Sequence, residues 1–164
     1  ALSNDYTVSI PTGIGLLDDT LGGGLDKGKL GLLIAPAGFG KTSFTTAIDA
    51  YAATYKCDMN NHKGYKVLQI YFEDDDVDIT RKHFGRITQT EARFMKRLDI
   101  ADRDEIETTL KNHPNKDMIN ENLRLKHFRT GTKSASDIEI FIKKLINNSI
   151  AFFICFEFIY KILE

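Results

Sequence analysis

Residues 35–42, Ala35-Pro36-Ala37-Gly38-Phe39-Gly40-Lys41-Thr42, place a lysine and a hydroxyl directly after a short glycine-containing loop. These residue types suit phosphate binding. Backbone N–H groups converging at a helix N-terminus hold an anion, and glycines let the main chain come close because no Cβ stands in the way. Lys41 then reaches the β and γ phosphates of a nucleoside triphosphate, and Thr42 offers its hydroxyl to magnesium. The pattern GxxxxGK[ST] is met except at its first position, where Ala35 replaces glycine and requires a negative φ. Pro36, Ala37, Gly38, Phe39, Gly40, Lys41, Thr42 and Ser43 form the candidate phosphate-contacting set. A second candidate is Glu73, the first carboxylate of Tyr71-Phe72-Glu73-Asp74-Asp75-Asp76. A glutamate beside a bound triphosphate can polarise a water for attack on the γ-phosphate. Asp75 and Asp76 read more simply as residues at the start of the next helix.

Such chemistry needs elements that bring both segments to one edge. The apolar run Leu30-Gly31-Leu32-Leu33-Ile34 reads as a strand leading into the loop. After it, Phe44, Ala47, Ile48, Tyr51 and Tyr55 recur at helical spacing and predict one buried face. Three further strands are expected at Lys66 to Phe72, Leu123 to Phe128 and Phe152 to Glu157, with Cys57 to Gly64 as a surface connection. Helices are expected through Val77 to Phe84 with Asp76 as the cap, after a capping box at Thr88-Gln89-Thr90-Glu91, and around Glu105 to Lys111 ahead of Pro114. A last helix follows a second capping box, Ser136-Asp137-Ile138-Glu139, and its stripe Ile138, Phe141, Ile142 and Leu145 reads as core. Strands alternating with helices indicate an α/β fold with a mainly parallel central sheet flanked by helices. In such a sheet ligands gather at the carboxyl ends of the strands, and that edge would bring Glu73 to the phosphate loop.

The chain has 164 residues, 42% of them hydrophobic and 27% charged, which fits one globular domain with a real core. A net charge of -1 offers no bulk attraction to nucleic acid. Locally, residues 79–97 hold Arg81, Lys82, Arg86, Arg93, Lys96 and Arg97 against Glu91 alone, which reads first as a solvated basic helix face. Cys57 and Cys155 suggest neither a disulfide framework nor, with His62, a zinc site, and they suit a reducing cytoplasm. The start Ala1-Leu2-Ser3-Asn4-Asp5 lacks the basic and apolar regions of a signal peptide, and the apolar run 150–160 is too short to span a bilayer. No membrane association is expected.

The stretch Pro11-Thr12-Gly13-Ile14 to Leu16-Leu17-Asp18-Asp19, then Leu21-Gly22-Gly23-Gly24-Leu25 and Lys27-Gly28-Lys29-Leu30, resembles the approach to the phosphate loop in RecA-like ATPases. The resemblance is closest to DnaB-type replicative helicases, with KaiC-type ATPases and RadA-type recombinases also similar, and it covers nearly the entire chain. It implies a RecA-like core binding ATP and Mg2+, with Lys41 and Thr42 as the phosphate and magnesium residues and Lys41 and Glu73 carrying the catalytic roles. The position of the family's Walker B aspartate falls on Glu157, a departure that lengthens the side chain by one methylene next to the magnesium shell. The family's sensor strand, DNA-contacting loops and arginine finger would follow Walker B, so the resemblance also implies an N-terminal part of the core, incomplete at its C-terminus, from a larger protein.

The reading expected from these residues is the motor core of a DnaB-type helicase, possibly from a phage, in a bacterial or infected-host cytoplasm. It would work as a homo-oligomeric, hexameric ring that meets single-stranded DNA through parts mostly outside this chain. Two alternatives stay open: a KaiC- or RadA-like regulatory or recombination ATPase, and a nucleotide-binding interaction module with little turnover. Glu73 separates an enzyme from a module.

Overall fold

The computed structural model describes residues 9–26, 28–36, 38–57, 62–72, 76–90, 107–109, 111–129, 131–147 and 153–156. Its centre is a parallel three-stranded sheet of β5 (Val67–Tyr71), β6 (Leu123–His127) and β7 (Phe153–Phe156), in the order β6-β5-β7. The register sets Gln69, in mid-strand, opposite Leu125 on one side and Cys155 on the other. β5 is fully buried along its length. A strand covered on both faces reads as a continuous run and not as an alternation, and Val67-Leu68-Gln69-Ile70-Tyr71 has that form with a single polar interruption.

Period-two geometry divides β5 between two layers. Leu68 and Ile70 join Phe128 in a cluster covered by Ile138, Phe141, Ile142 and Leu145 of α5 (Ala135–Asn147). The helical stripe read from the sequence is therefore the inner face of α5. Phe128 meets Phe141 edge to face at 5.4 Å between centroids, a favoured aromatic arrangement. Val67 turns to the other face, against Ala52 and Ala53 of α2 (Lys41–Thr54). Gln69 joins it there, reaching Thr45 of α2 and His83 of α3 (Asp76–Thr88). The result is helices on both faces of a parallel sheet.

The second end of α2 is tied down by polar contacts. The last carbonyls of a helix have no partner inside it. Here the buried Asn122, last residue of α4 (Lys116–Asn122), donates through Nδ2 to Ala53 O at 2.9 Å and to Lys63 O at 2.8 Å. Tyr65 N–H donates to Ala52 O at 2.9 Å. Gly64 is left-handed and has the Ala53 carbonyl and the Asn122 amide directly against it, so a side chain would have no room.

Two small hairpins complete the described structure. β1 (Ser9–Ile10) pairs with β2 (Leu25–Asp26), and the expected surface connection around residues 57–64 contains a second, β3 (Lys56–Cys57) with β4 (His62–Lys63). Between β1 and β2, α1 (Gly15–Thr20) carries Asp18. Its carboxylate accepts from Thr12 N–H and Thr12 Oγ1, each at 2.7 Å, and from Gly13 N–H at 3.0 Å. The Thr-Gly and Leu-Asp spacing that carries the family resemblance thus closes a loop ahead of the phosphate segment.

Several expectations are corrected. Leu30 to Ile34 is not a strand: it has no regular secondary structure, with Leu30 93% and Ile34 82% exposed. An apolar run becomes a strand only when a neighbour takes its backbone groups, and no described strand pairs with it. On α2, Tyr51 is 42% exposed, while Thr46, Asp49 and Ala50 are buried with Ala47 and Ile48. Small residues let the helix approach the sheet closely, and this turns the large Tyr51 ring outward against Gly13. Asp76 is the first residue of α3, which continues past Phe84 to Thr88; Gln89, at φ 58°, then turns left-handed. The helix expected after Thr88-Gln89-Thr90-Glu91 lies outside the described residues. Residues 107–109 and 111–112 are helical, ahead of Pro114.

The cap of α5 sits two residues earlier than expected. Ser134 Oγ donates to Asp137 Oδ2 at 2.9 Å and accepts from Asp137 N–H at 3.2 Å. Hydrogen bonds from the Ser134 backbone and hydroxyl hold the Asp137 carboxyl below its usual range. Glu139, the other candidate partner, is taken by Lys143 at 2.6 Å one turn on.

Candidate phosphate-binding site

Direction comes first. Ala52 and Ala53, near the end of α2, pack at Val67, the start of β5, whereas Thr45, near the beginning of α2, lies beside Gln69 in mid-strand. α2 therefore runs antiparallel to β5, and its N-terminus lies toward the carboxyl edge of the sheet. At that edge the chain leaves β5 through Tyr71 and Phe72. Tyr71 stacks on His127, at the end of β6, with ring centroids 5.2 Å apart, and its carbonyl accepts from Phe128 N–H at 3.0 Å.

The glycine loop supplies the turn into α2. Gly38 and Gly40 are both left-handed, at φ 78° and 79°, and Gly40 is the N-cap. A Cβ at either position would meet nothing within 4 Å, so the demand for glycine is conformational and the space in front of the loop is open. No side chain caps the α2 N-terminus. A helix of 14 residues that starts this way, without a side-chain cap, presents the positive end of its dipole to the loop.

Lys41 folds back over the loop. Its Nζ donates to Ala35 O at 2.9 Å and Pro36 O at 3.0 Å, so the ammonium stands above the turn, held there by two backbone carbonyls. The phosphate of a nucleotide fits this arrangement, because glycine conformation, open space, helix end and ammonium converge on one spot. Thr42 and Ser43 stand in the first turn of α2, and Phe39 is 75% exposed at the loop tip. Among the described residues, no group of three His, Cys, Asp or Glu side chains is arranged to hold a metal ion. Magnesium at nucleotide sites characteristically relies on phosphates and waters with one or two protein ligands, which a hydroxyl such as that of Thr42 fits.

Of the residues named from the sequence, the structure brings together Pro36, Gly38, Phe39, Gly40, Lys41, Thr42 and Ser43. Ala37, Glu73 and Glu157 lie outside the described residues, as do Arg93, Lys96 and Arg97 of the basic stretch. On α3, Arg81 pairs with Asp78 at 3.4 Å, both on the exposed surface, so part of that basic face is locally balanced.

Gln69 and His83 were not singled out from the sequence. His83 Nε2 lies 2.5 Å from Gln69 Oε1, and Gln69 Nε2 lies 3.5 Å from Thr45 Oγ1. Burial pushes the His83 imidazole down to about 4. A glutamine in the middle of an apolar strand, and a histidine four residues after Ile79 on a buried helix face, were the available signals.

No described helix is long and apolar enough to cross a membrane. No family model, no curated protein and no solved structure matches this chain.

Proposed function

We propose that the chain is the ATP-binding and hydrolysing motor core of a DnaB-type replicative helicase, RecA-like in fold. One observation carries the nucleotide part of this reading. A glycine loop with two left-handed residues opens onto the N-terminus of α2, which no side chain caps, at the carboxyl edge of a parallel sheet, with Lys41 Nζ poised over it. The helicase part rests on the sequence resemblance of residues 11–42.

In this mechanism the loop N–H groups and the α2 dipole bind the phosphates, while Lys41 exchanges two neutral carbonyl partners for anionic oxygens. Magnesium, held by Thr42 and Glu157, would offset phosphate charge. In the sequence Glu73 comes directly after Phe72, two residues past the end of β5. It takes the proton of the attacking water as the phosphoryl group transfers. Ring assembly and single-stranded DNA then act on turnover.

The test separates these parts. Glu73→Gln should leave magnesium-ATP affinity near the parent value and lower kcat by roughly 10²-fold, the scale of a lost general base. Turnover of the protein should rise when single-stranded DNA is added and the ring forms. If Glu73→Gln weakens binding and leaves kcat intact, the base assignment is wrong. A monomer whose turnover ignores DNA removes the helicase reading and leaves the ATPase.

A further inference from the structure

We infer that Thr45, Gln69 and His83 form a positioning relay that couples the phosphate-loop helix to α3 through the core, an inference that rests on the phosphate-site reading above. The chain of bonds begins at the loop. Thr45 Oγ1 donates to Thr42 O at 3.0 Å, one turn along α2 from the site. Gln69 Nε2 then points its hydrogen at Thr45 Oγ1 from mid-sheet, and His83 Nε2 donates to Gln69 Oε1. The relay thus passes from α2, through the central strand, into α3.

The hydrogen-bond directions are set by what burial allows. If the glutamine amide were turned over, its NH2 would face His83 Nε2, which would have to accept, and the ring proton would sit on Nδ1. Nδ1 is buried and has no hydrogen-bond partner among the described residues. An unpartnered buried N–H costs more than an unpartnered acceptor nitrogen, so the Nε2–H tautomer and the stated amide orientation are favoured. Even so, the arrangement leaves one polar atom unsatisfied in the core. A leucine and a phenylalanine would fill the same positions without that cost, so stability alone does not account for the pair.

Its two links differ in length. The His83–Gln69 contact is 2.5 Å, a tight clamp between α3 and β5, whereas the Gln69–Thr45 contact is 3.5 Å, at the outer edge of hydrogen bonding. A shift of α2 toward β5 by a fraction of an ångström strengthens the second link steeply and leaves the first unchanged. A phosphate that draws α2 toward β5 would thus be felt at Gln69, and through it at α3. In the sequence Glu73 lies between β5 and α3, the two elements that the Gln69–His83 contact joins. Gln69 and His83 are positioning residues in this scheme and touch no substrate.

The experiment uses Thr45→Val, Gln69→Leu with His83→Phe, and His83→Gln in the same protein. Thr45→Val cuts the relay with an isosteric change at a half-buried site and does not threaten the fold. The double variant removes both core partners together, which restores apolar packing without leaving either group unpaired. Both should keep KM for ATP and lose roughly tenfold in kcat, as expected when a catalytic group is slightly misplaced. His83→Gln, which can still donate an N–H to Gln69, should recover most of the parent kcat. A merely structural pair predicts the opposite: the double variant, once folded, turns over like the parent. That result, or parent kcat in Thr45→Val, overturns the relay.

Amide NMR of the same variants keeps the two readings apart. Gln69→Leu should move the Thr42 amide resonance even without nucleotide. A parent that neither binds nor hydrolyses magnesium-ATP defeats the phosphate-site reading, while an unmoved Thr42 amide defeats the relay.

Discussion

Lys41→Ala tests the site most directly, and its size can be worked from the loop geometry. The ammonium has two backbone partners, Ala35 O at 2.9 Å and Pro36 O at 3.0 Å. Binding therefore does not create charge-assisted bonds from nothing; it exchanges carbonyl acceptors for phosphate oxygens. A unit charge pair about 3 Å apart at an effective dielectric of about 20 attracts by about 5 kcal/mol. Giving up two hydrogen bonds from a charged donor, each worth about 1.5 kcal/mol, returns more than half of that. The surplus, about 2 kcal/mol, corresponds to a Kd raised by roughly 30-fold. Titration calorimetry with magnesium-ATP reads the change, and a thermal melt serves as control. The melt should barely move, because the freed carbonyls of Ala35 and Pro36 lie where water can replace the ammonium. An unchanged Kd in a folded variant would refute the phosphate-site assignment itself, since nothing else at the loop supplies a mobile positive charge.

Other tests address the scaffold. Asn122→Ala removes the amide that satisfies Ala53 O and Lys63 O, and two lost hydrogen bonds should cost about 2 kcal/mol in urea unfolding. At this chain length that loss should lower Tm by about 4–8 °C, and an unmoved Tm would show the α2 end is held by something else. His83 makes stability depend on pH: its folded value of about 4 lies below the ordinary 6.5, so the unfolded chain binds the proton first. The contribution is present in full above about pH 6.5, declines as pH falls toward about 4, and amounts to about 3 kcal/mol. His83→Gln should flatten that part of the urea-unfolding profile, and parallel profiles for parent and variant would contradict the buried neutral imidazole.

What could be read from the chain alone follows from how local each cause is. Gly38 and Gly40 were legible because a tight turn into a helix constrains the backbone of those residues themselves, and both are left-handed. The α5 stripe was legible because Ile138, Phe141, Ile142 and Leu145 are large, apolar and evenly spaced, so periodicity alone assigns their face. On α2 the same method found Ala47 and Ile48 but misplaced Tyr51. Its inner surface is built from alanines and from the polar Thr46 and Asp49, which weigh little in a hydrophobic pattern, and the conspicuous Tyr51 lies outside. Two overlapping boxes, Ser134 with Asp137 and Ser136 with Glu139, have the same form in the sequence. Only the competing bond from Lys143 to Glu139 decides between them.

The remaining failures share a cause that no local pattern contains. Leu30 to Ile34 has the composition of a buried strand, yet strand formation depends on a neighbour supplying donors and acceptors along its whole length, and the sequence of one segment says nothing about that neighbour. Gln69 and His83 stand 14 residues apart and acquire meaning only when β5 and α3 come together. Each alone reads as a polar residue in an awkward place. Paired, they remove most of each other's burial cost and leave a single unsatisfied nitrogen, His83 Nδ1, as the residue of that compromise. A core selected for stability alone would not retain it. Gln69 and His83 are therefore the buried polar residues whose bonds lead from Thr45, one turn past Thr42 on α2, into α3.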